Sequence, residues 1–193
     1  MKRSANIARY ACALGGLLVV ILTASAVIWT PFAGRDGAAQ ISPAALYAVQ
    51  LTDSRGNSVS LGLWQGKILL VNFWATWCLP CREEIPDLMR VQRRHAGNGV
   101  QVIGVAIDSA DKVLAFVRDV GVDYPVLIDD SRGLALSKRL GNGAGVLPFT
   151  ALINREGKVV SINKGKLSPA QIDAQLKAVI QQPFAALERK MAL

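Results

Sequence analysis

Apolar and polar residues change their rhythm several times along this chain. From Tyr10 to Trp29 no residue is charged. At about 1.5 Å of rise per residue, such a helix reaches about 30 Å, the thickness of a bilayer's hydrocarbon core. Residues 30–44, with Pro31, Gly34, Gly37 and Pro43 among alanines, follow neither the helical nor the strand period and read as a linker. Beyond them the pattern is that of a folded domain. Tyr47–Leu51 and Val59–Leu61 flank Asp53-Ser54-Arg55-Gly56-Asn57, which predicts a hairpin with a turn of Asp, Gly and Asn type. Ile68–Trp74 is an almost unbroken apolar run of the kind that forms a buried strand. Leu79–His95 carries Ile85, Leu88, Met89 and Gln92 at helical spacing. Glu83 and Glu84 lie near its start and Arg90, Arg93 and Arg94 near its end, charges that complement a helix dipole.

A strand at Val100–Ile107, a helix near Asp111–Val120, a strand at Pro125–Ile128 and a helix near Arg132–Leu140 follow. This alternation predicts an α/β domain with parallel strands at its centre. Phe149–Asn154 and Val159–Asn163, around Arg155-Glu156-Gly157-Lys158, predict a second hairpin. Ser168-Pro169-Ala170-Gln171 then opens the last helix with a serine cap, proline at the first helical position and a glutamine to complete a capping box. The expected organisation is a basic N-terminus (1–9), an apolar span (10–29), the linker (30–44) and one domain over 45–193.

Composition adds bounds to this. A length of 193 residues suits one domain with an appendage, and 51% apolar against 19% charged residues excludes a disordered chain. The net charge of +8 includes Lys2, Arg3 and Arg9, so the remainder is only mildly basic and carries no nucleic-acid footprint. Those three cations precede the apolar span with no acid among them. They hold the N-terminus in the cytoplasm and send the domain across the membrane. Ala24-Ser25-Ala26 offers a signal-peptide cleavage site, whereas the continuation of the apolar run through Val27, Ile28 and Trp29 favours an uncleaved anchor. Either way the domain is exported, into a compartment that closes neighbouring thiols unless something keeps them reduced. Cys12, inside the span, reads as a small apolar filler.

Three cysteines and the single His95 leave little room for a metal centre or a histidine triad. The informative string is Trp77-Cys78-Leu79-Pro80-Cys81, at the junction of a buried strand and a helix. Free N–H groups and the dipole at a helix start favour a thiolate, so Cys78 is the expected nucleophile. Cys81, three residues on, shares its face and can close a disulfide with it. A zinc site would need two further ligands, and His95 stands about 20 Å along the same helix. Gly141-Asn142-Gly143-Ala144-Gly145-Val146 leads into Pro148 rather than a helix, which argues against a phosphate cradle. Asp108, Asp129 and Asp130 are expected to cap the helices that follow them. His95, among arginines at a helix end, is expected to be structural.

Phe73-Trp74-Ala75-Thr76-Trp77-Cys78-Leu79-Pro80-Cys81-Arg82, with Gly66-Lys67 before and Leu147-Pro148-Phe149-Thr150 after, resembles the membrane-anchored thioredoxin-like thiol-disulfide oxidoreductases of the TlpA/ResA type. The resemblance spans roughly residues 45–182. It implies a thioredoxin-like α/β fold, a central mixed sheet flanked by helices with an N-terminal hairpin and an extra helix-strand unit over residues 110–129. It implies Cys78 as the attacking and Cys81 as the resolving thiol of a redox-active disulfide. Pro148 matches the cis-proline of the loop beside that disulfide, where the backbone of Leu147 pairs with a bound peptide. Glu84 matches a carboxylate that some members place beside the cysteines to take the proton of Cys81; the competing reading is an exposed acid at a helix start. Asn72 stands where thioredoxin itself has a buried acid, and cannot take a proton. Trp77 is open to substrate contact or packing, and Trp74 is expected in the core.

The function this implies is reduction of disulfides in exported proteins, for example in cytochrome c or oxidase maturation. The enzyme would be a monomer at the cytoplasmic membrane, with its catalytic domain on the periplasmic side. It would be re-reduced by a membrane electron donor, without metal or other cofactor and without nucleic acid. Two alternatives of the same fold are a copper-binding and delivery module, which would want a longer cysteine spacing and a histidine, and a disulfide-forming oxidant, which would want a polarising dipeptide where Leu79-Pro80 stands.

Overall fold

The computed structural model describes residues 41–181. In chain order these form α1 (Pro43–Tyr47), β1 (Gln50–Asp53), β2 (Ser58–Ser60), β3 (Ile68–Trp74), α2 (Leu79–His95), β4 (Val100–Ala106), α3 (Ala110–Val120), β5 (Val126–Ile128), α4 (Asp130–Arg139), β6 (Phe149–Ile153), β7 (Val159–Lys164) and α5 (Pro169–Ile180). The strands make one sheet in the order β2-β1-β5-β4-β3-β6-β7. β3, β4 and β5 run parallel, β1 pairs antiparallel with β5 and β2, and β6 pairs antiparallel with β3 and β7. This is the expected α/β class with a mixed sheet. Residues 110–129 supply α3 and β5, and β5 carries the β1–β2 hairpin on its outer edge.

β3 is buried at every position because both faces of the sheet are covered. Its side chains alternate. Ile68, Leu70 and Trp74 join a core with Ile85, Leu88 and Val91 of α2, Val113 of α3 and Ile172 and Leu176 of α5. Leu69, Val71 and Phe73 join the opposite core with Leu46 of α1 and Leu136 of α4. On the α2 side the period leaves one polar position, Asn72. The last helix opens as its sequence requires: Gln171 N donates to the Ser168 hydroxyl and Ser168 N to the Gln171 side chain.

Three expectations are corrected. The linker stretch ends in a helix, not in coil, and Tyr47 belongs to that helix instead of the first strand of the hairpin. Ser42 caps it by accepting from Ala45 N, Pro43 takes the first helical position, and Leu46 and Tyr47 are buried against the sheet. Asp129 caps α4 as expected, accepting from Arg132 N at 2.8 Å. Asp108 does not cap α3; it reaches back to Thr76. The basic N-terminus, the apolar span 10–29, Cys12 and residues 182–193 lie outside the described residues. Among the described residues no helix is long and apolar enough to cross a membrane.

Candidate active site

The sheet delivers its chemistry at the C-terminal end of β3. Trp74 closes the strand, Ala75, Thr76 and Trp77 turn the chain, and Cys78 occupies the N-cap of α2 with extended backbone and no side-chain capping bond. Thr76 is pinned by Asp108 at the end of neighbouring β4, whose carboxylate accepts from Thr76 N at 3.2 Å and from the Thr76 hydroxyl. Burial alone would raise the Asp108 carboxyl. Hydrogen bonds from Thr76 and Ser109, with the nearby Lys112 cation, outweigh it and hold the group below its usual range. Asp108 therefore locks the turn that presents the cysteines.

Cys78 and Cys81 form a disulfide with their Cα atoms 5.3 Å apart. Cys78 keeps 5% of its surface exposed and Cys81 only 1%, so the first cysteine is the less enclosed of the two. Its neighbours Trp77 and Leu79 are 69% and 63% exposed, an apolar collar around the reactive edge. Trp74, in contrast, is fully buried and packs against Phe116 of α3 with the ring centroids 5.2 Å apart and the planes tilted by 47°, and the Arg82 guanidinium lies 5.7 Å over the Phe116 ring.

Glu84, one turn beyond Cys81, is completely buried, which overturns the reading of an exposed acid at the helix start. Helical spacing puts residue 84 on the stripe of Cys81, Ile85 and Leu88, while Glu83 takes the outer face and pairs with Lys166 at 2.9 Å. Glu84 Oε1 accepts from Leu167 N at 3.1 Å and Oε2 from Asn72 Nδ2 at 3.3 Å. The same Asn72 amide donates to Thr150 Oγ1 at 2.9 Å, across the directly opposed pair of β3 and β6. Burial pushes the Glu84 carboxyl up; the bonds from Leu167 and Asn72 and the charge of Lys166 oppose this without cancelling it. A carboxylate has about four lone-pair sites. Two are used here, so Glu84 retains capacity to take a proton. The Tyr124 hydroxyl, buried in the same core with no hydrogen-bond partner among the described residues, is pushed up by its burial and by the negative charges of Glu84 and Asp123.

The second wall is the loop before β6. The Leu147–Pro148 peptide is cis. Because Phe149 opposes Phe73, Pro148 lies level with Trp74, at the end of the sheet that carries the cysteines. Leu147 packs against the core cluster that contains Cys78 and Cys81. The structure thus brings Cys78, Cys81, Glu84, Trp77, Leu147 and Pro148 to one end of the sheet. His95 stands apart at the far end of α2, its Nε2 3.0 Å from Asp173. Sequence reasoning gave no role to Thr150 or Asn142. Thr150 carries a visible signal, a polar residue inside an apolar strand run. Asn142 carries none.

A sequence profile of the Redoxin family matches residues 39–180. The thiol-disulfide oxidoreductase ResA of Bacillus subtilis (strain 168) is 32% identical over 160 residues, covering 82% of this chain and 86% of the relative. ResA of Bacillus anthracis is 34% identical over 131 residues, covering 67% and 73%. Among solved structures, a thiol:disulfide interchange protein of the thioredoxin family from Chlorobium tepidum TLS superposes with a TM-score of 0.62 at 30% identity, over 68% of this chain and 92% of that one.

Proposed function

The chain belongs to the Redoxin family and is a thiol-disulfide oxidoreductase, and from that premise we propose that it reduces disulfides of exported proteins from a membrane tether. The observation that carries this reading is the Cys78–Cys81 disulfide at the start of α2, with Cys78 the less enclosed of the pair inside an apolar collar and the Leu147–Pro148 loop at the same end of the sheet.

In the reduced enzyme the Cys78 thiolate attacks one sulfur of a substrate disulfide. The substrate S–S bond breaks, a Cys78–substrate disulfide forms, and the other substrate sulfur leaves as a thiolate that takes a proton from solvent. Cys81 gives its proton to Glu84 and attacks Sγ of Cys78. The mixed disulfide breaks, the second substrate sulfur departs as a thiolate that takes a proton from solvent, and Cys78–Cys81 closes. Two electrons have passed to the substrate, and a membrane-borne dithiol donor returns them to the enzyme. The substrate class is exported polypeptides whose cysteines must be free before they take haem or copper.

The domain plan that supports this tether is a cytoplasmic basic segment over 1–9, a membrane anchor over 10–29, a linker and the catalytic domain on the periplasmic side. Its basis is the charge asymmetry around the uncharged run. A Cys81→Ser variant expressed in cells stalls at the mixed disulfide. Recovery of exported proteins bound through Cys78 is the expected result, and capture of none, or of cytoplasmic proteins only, overturns the reading. A reporter fused at Leu193 that works only in the cytoplasm overturns the orientation.

A further inference from the structure

α4 ends in a tight turn that leads directly to the cis-proline loop. Leu140 closes the helix, Gly141 follows at φ 109°, and Gly141 N and Asn142 N donate back to Lys138 O at 3.0 Å and Ser137 O at 2.9 Å. A side chain other than glycine would strain position 141. The chain then folds over the side chain of Asn142, which is completely buried. Gly145 N donates to Asn142 O at 3.0 Å. The amide of Asn142 takes up both polar groups of one residue: Val146 N donates to Oδ1 at 3.0 Å, and Nδ2 donates to Val146 O at 2.9 Å.

This leaves an unequal loop. Val146 has no N–H to offer and one lone pair of its carbonyl is engaged, so it cannot exchange both main-chain bonds with a neighbouring strand, although its side chain is exposed. Pro148 has no N–H, and its carbonyl accepts from Gly165 N at 2.8 Å. Among the described residues, neither Leu147 N nor Leu147 O has a hydrogen-bond partner. Leu147 is thus the one residue from 146 to 148 with a free donor and a free acceptor, the pair of groups that an antiparallel strand residue exchanges with its opposite number.

We propose that Asn142 is a positioning residue that sets the register of the bound substrate strand. By engaging the Val146 N–H it leaves Leu147 as the residue that can exchange both main-chain bonds, and so fixes which substrate residue faces Cys78. A slip of one residue would turn every substrate side chain to the other face and carry the disulfide away from the attacking sulfur. This rests on the polypeptide-reductase reading above and adds a register device to it. Asn142 touches neither sulfur nor substrate; it acts through the Val146 peptide.

The test compares two oxidants of the reduced enzyme, a synthetic peptide with one disulfide and hydroxyethyl disulfide, which has no main chain to pair. Asn142→Leu keeps the bulk and removes both bonds. The ratio of kcat/KM for the peptide to that for hydroxyethyl disulfide is expected to fall roughly 10-fold, about what two hydrogen bonds are worth, through KM more than kcat. Asn142→Asp supplies the second reading, which holds even where the Leu variant does not fold. Its protonated carboxyl can donate to Val146 O and its ionised form cannot, so its peptide deficit relative to wild type is expected to shrink on acidification. An unaltered ratio in the Leu variant, or a deficit in the Asp variant that does not vary with pH, overturns the proposal. If the wild-type enzyme exchanges with hydroxyethyl disulfide but not with the peptide, the reductase reading itself fails, and the register proposal with it.

Discussion

Asn72 of β3 holds the Glu84 carboxylate from below, its Nδ2 3.3 Å from Oε2, while the same amide reaches Thr150 at 2.9 Å. One side chain therefore ties the active-site helix to two neighbouring strands, at the only polar position on that face of β3. The tie explains how a carboxyl can remain in the core. An uncompensated buried charge is expensive; the two donors offset part of that cost when the group is ionised, and burial, which raises its pKa, favours the protonated form.

The first expected outcome concerns pH and stability. The folded-state pKa of Glu84 lies above its ordinary value of 4.5. Between those two values the native protein keeps a proton that the unfolded chain has released, so stability falls as pH rises through the window. Glu84→Gln removes this dependence. The urea midpoint of the Gln variant, relative to wild type, is expected to rise as pH increases from the ordinary carboxylate range. A difference that stays flat with pH means that Glu84 titrates normally in the folded protein.

The second concerns rate. If Glu84 accepts the proton of Cys81, Glu84→Gln slows resolution of the mixed disulfide roughly 10-fold or more, the usual loss for a general base. It leaves the first attack by Cys78 near its wild-type rate. The wild-type resolution rate is expected to climb as Glu84 ionises, and the Gln variant to lack that inflection. Single-turnover measurements with a preformed mixed disulfide separate the steps. A wild-type resolution rate in the variant removes Glu84 from the mechanism and leaves water as the base.

The sequence was most legible where burial on both faces dictates it. β3 and α2 begin and end where the apolar run and the helical stripe do, because few alternatives could bury Ile68–Trp74. Glu84 was legible only as a position. The stripe of Cys81, Ile85 and Leu88 includes it, yet an acid in the first turns of a helix reads equally well as a dipole partner. Its burial is decided by Asn72, twelve residues earlier, and Leu167, eighty-three later. α1 was illegible for a different reason. Five residues hold barely one turn of period, and the helix exists because Leu46 and Tyr47 find a face of the sheet that other segments complete.

That last packing supports a third expectation. Gly157, in the turn between β6 and β7, sits at φ 78°, and a Cβ there would come within 2.8 Å of Tyr47 Cε2 and 2.9 Å of Pro43 Cβ. Gly157→Ala therefore combines left-handed strain with overpacking against α1. A loss of about 2–4 kcal/mol is expected, read from the urea midpoint. A loss below about 0.5 kcal/mol, within the range of ordinary surface substitutions, means that α1 yields without cost and contributes little to holding the hairpin.

The fourth expectation separates the two thiols. Cys78 is the N-cap of α2 and no side chain caps that helix start, so the free N–H groups and the helix dipole are expected to stabilise a thiolate there in the reduced protein. Cys81 is more deeply buried and stands one turn before a buried carboxyl, and both features oppose a second anion. Alkylation by iodoacetamide against pH reads the difference directly in single-cysteine variants. In Cys81→Ser the rate for Cys78 is expected to inflect below the ordinary thiol value of about 8.5, and in Cys78→Ser the rate for Cys81 above it. Adding Glu84→Gln to the Cys78→Ser protein removes the negative charge and is expected to move the Cys81 inflection down, with no comparable movement for Cys78. If Cys81 reacts first at neutral pH, the helix start does not select the nucleophile, and attack and resolution must exchange places.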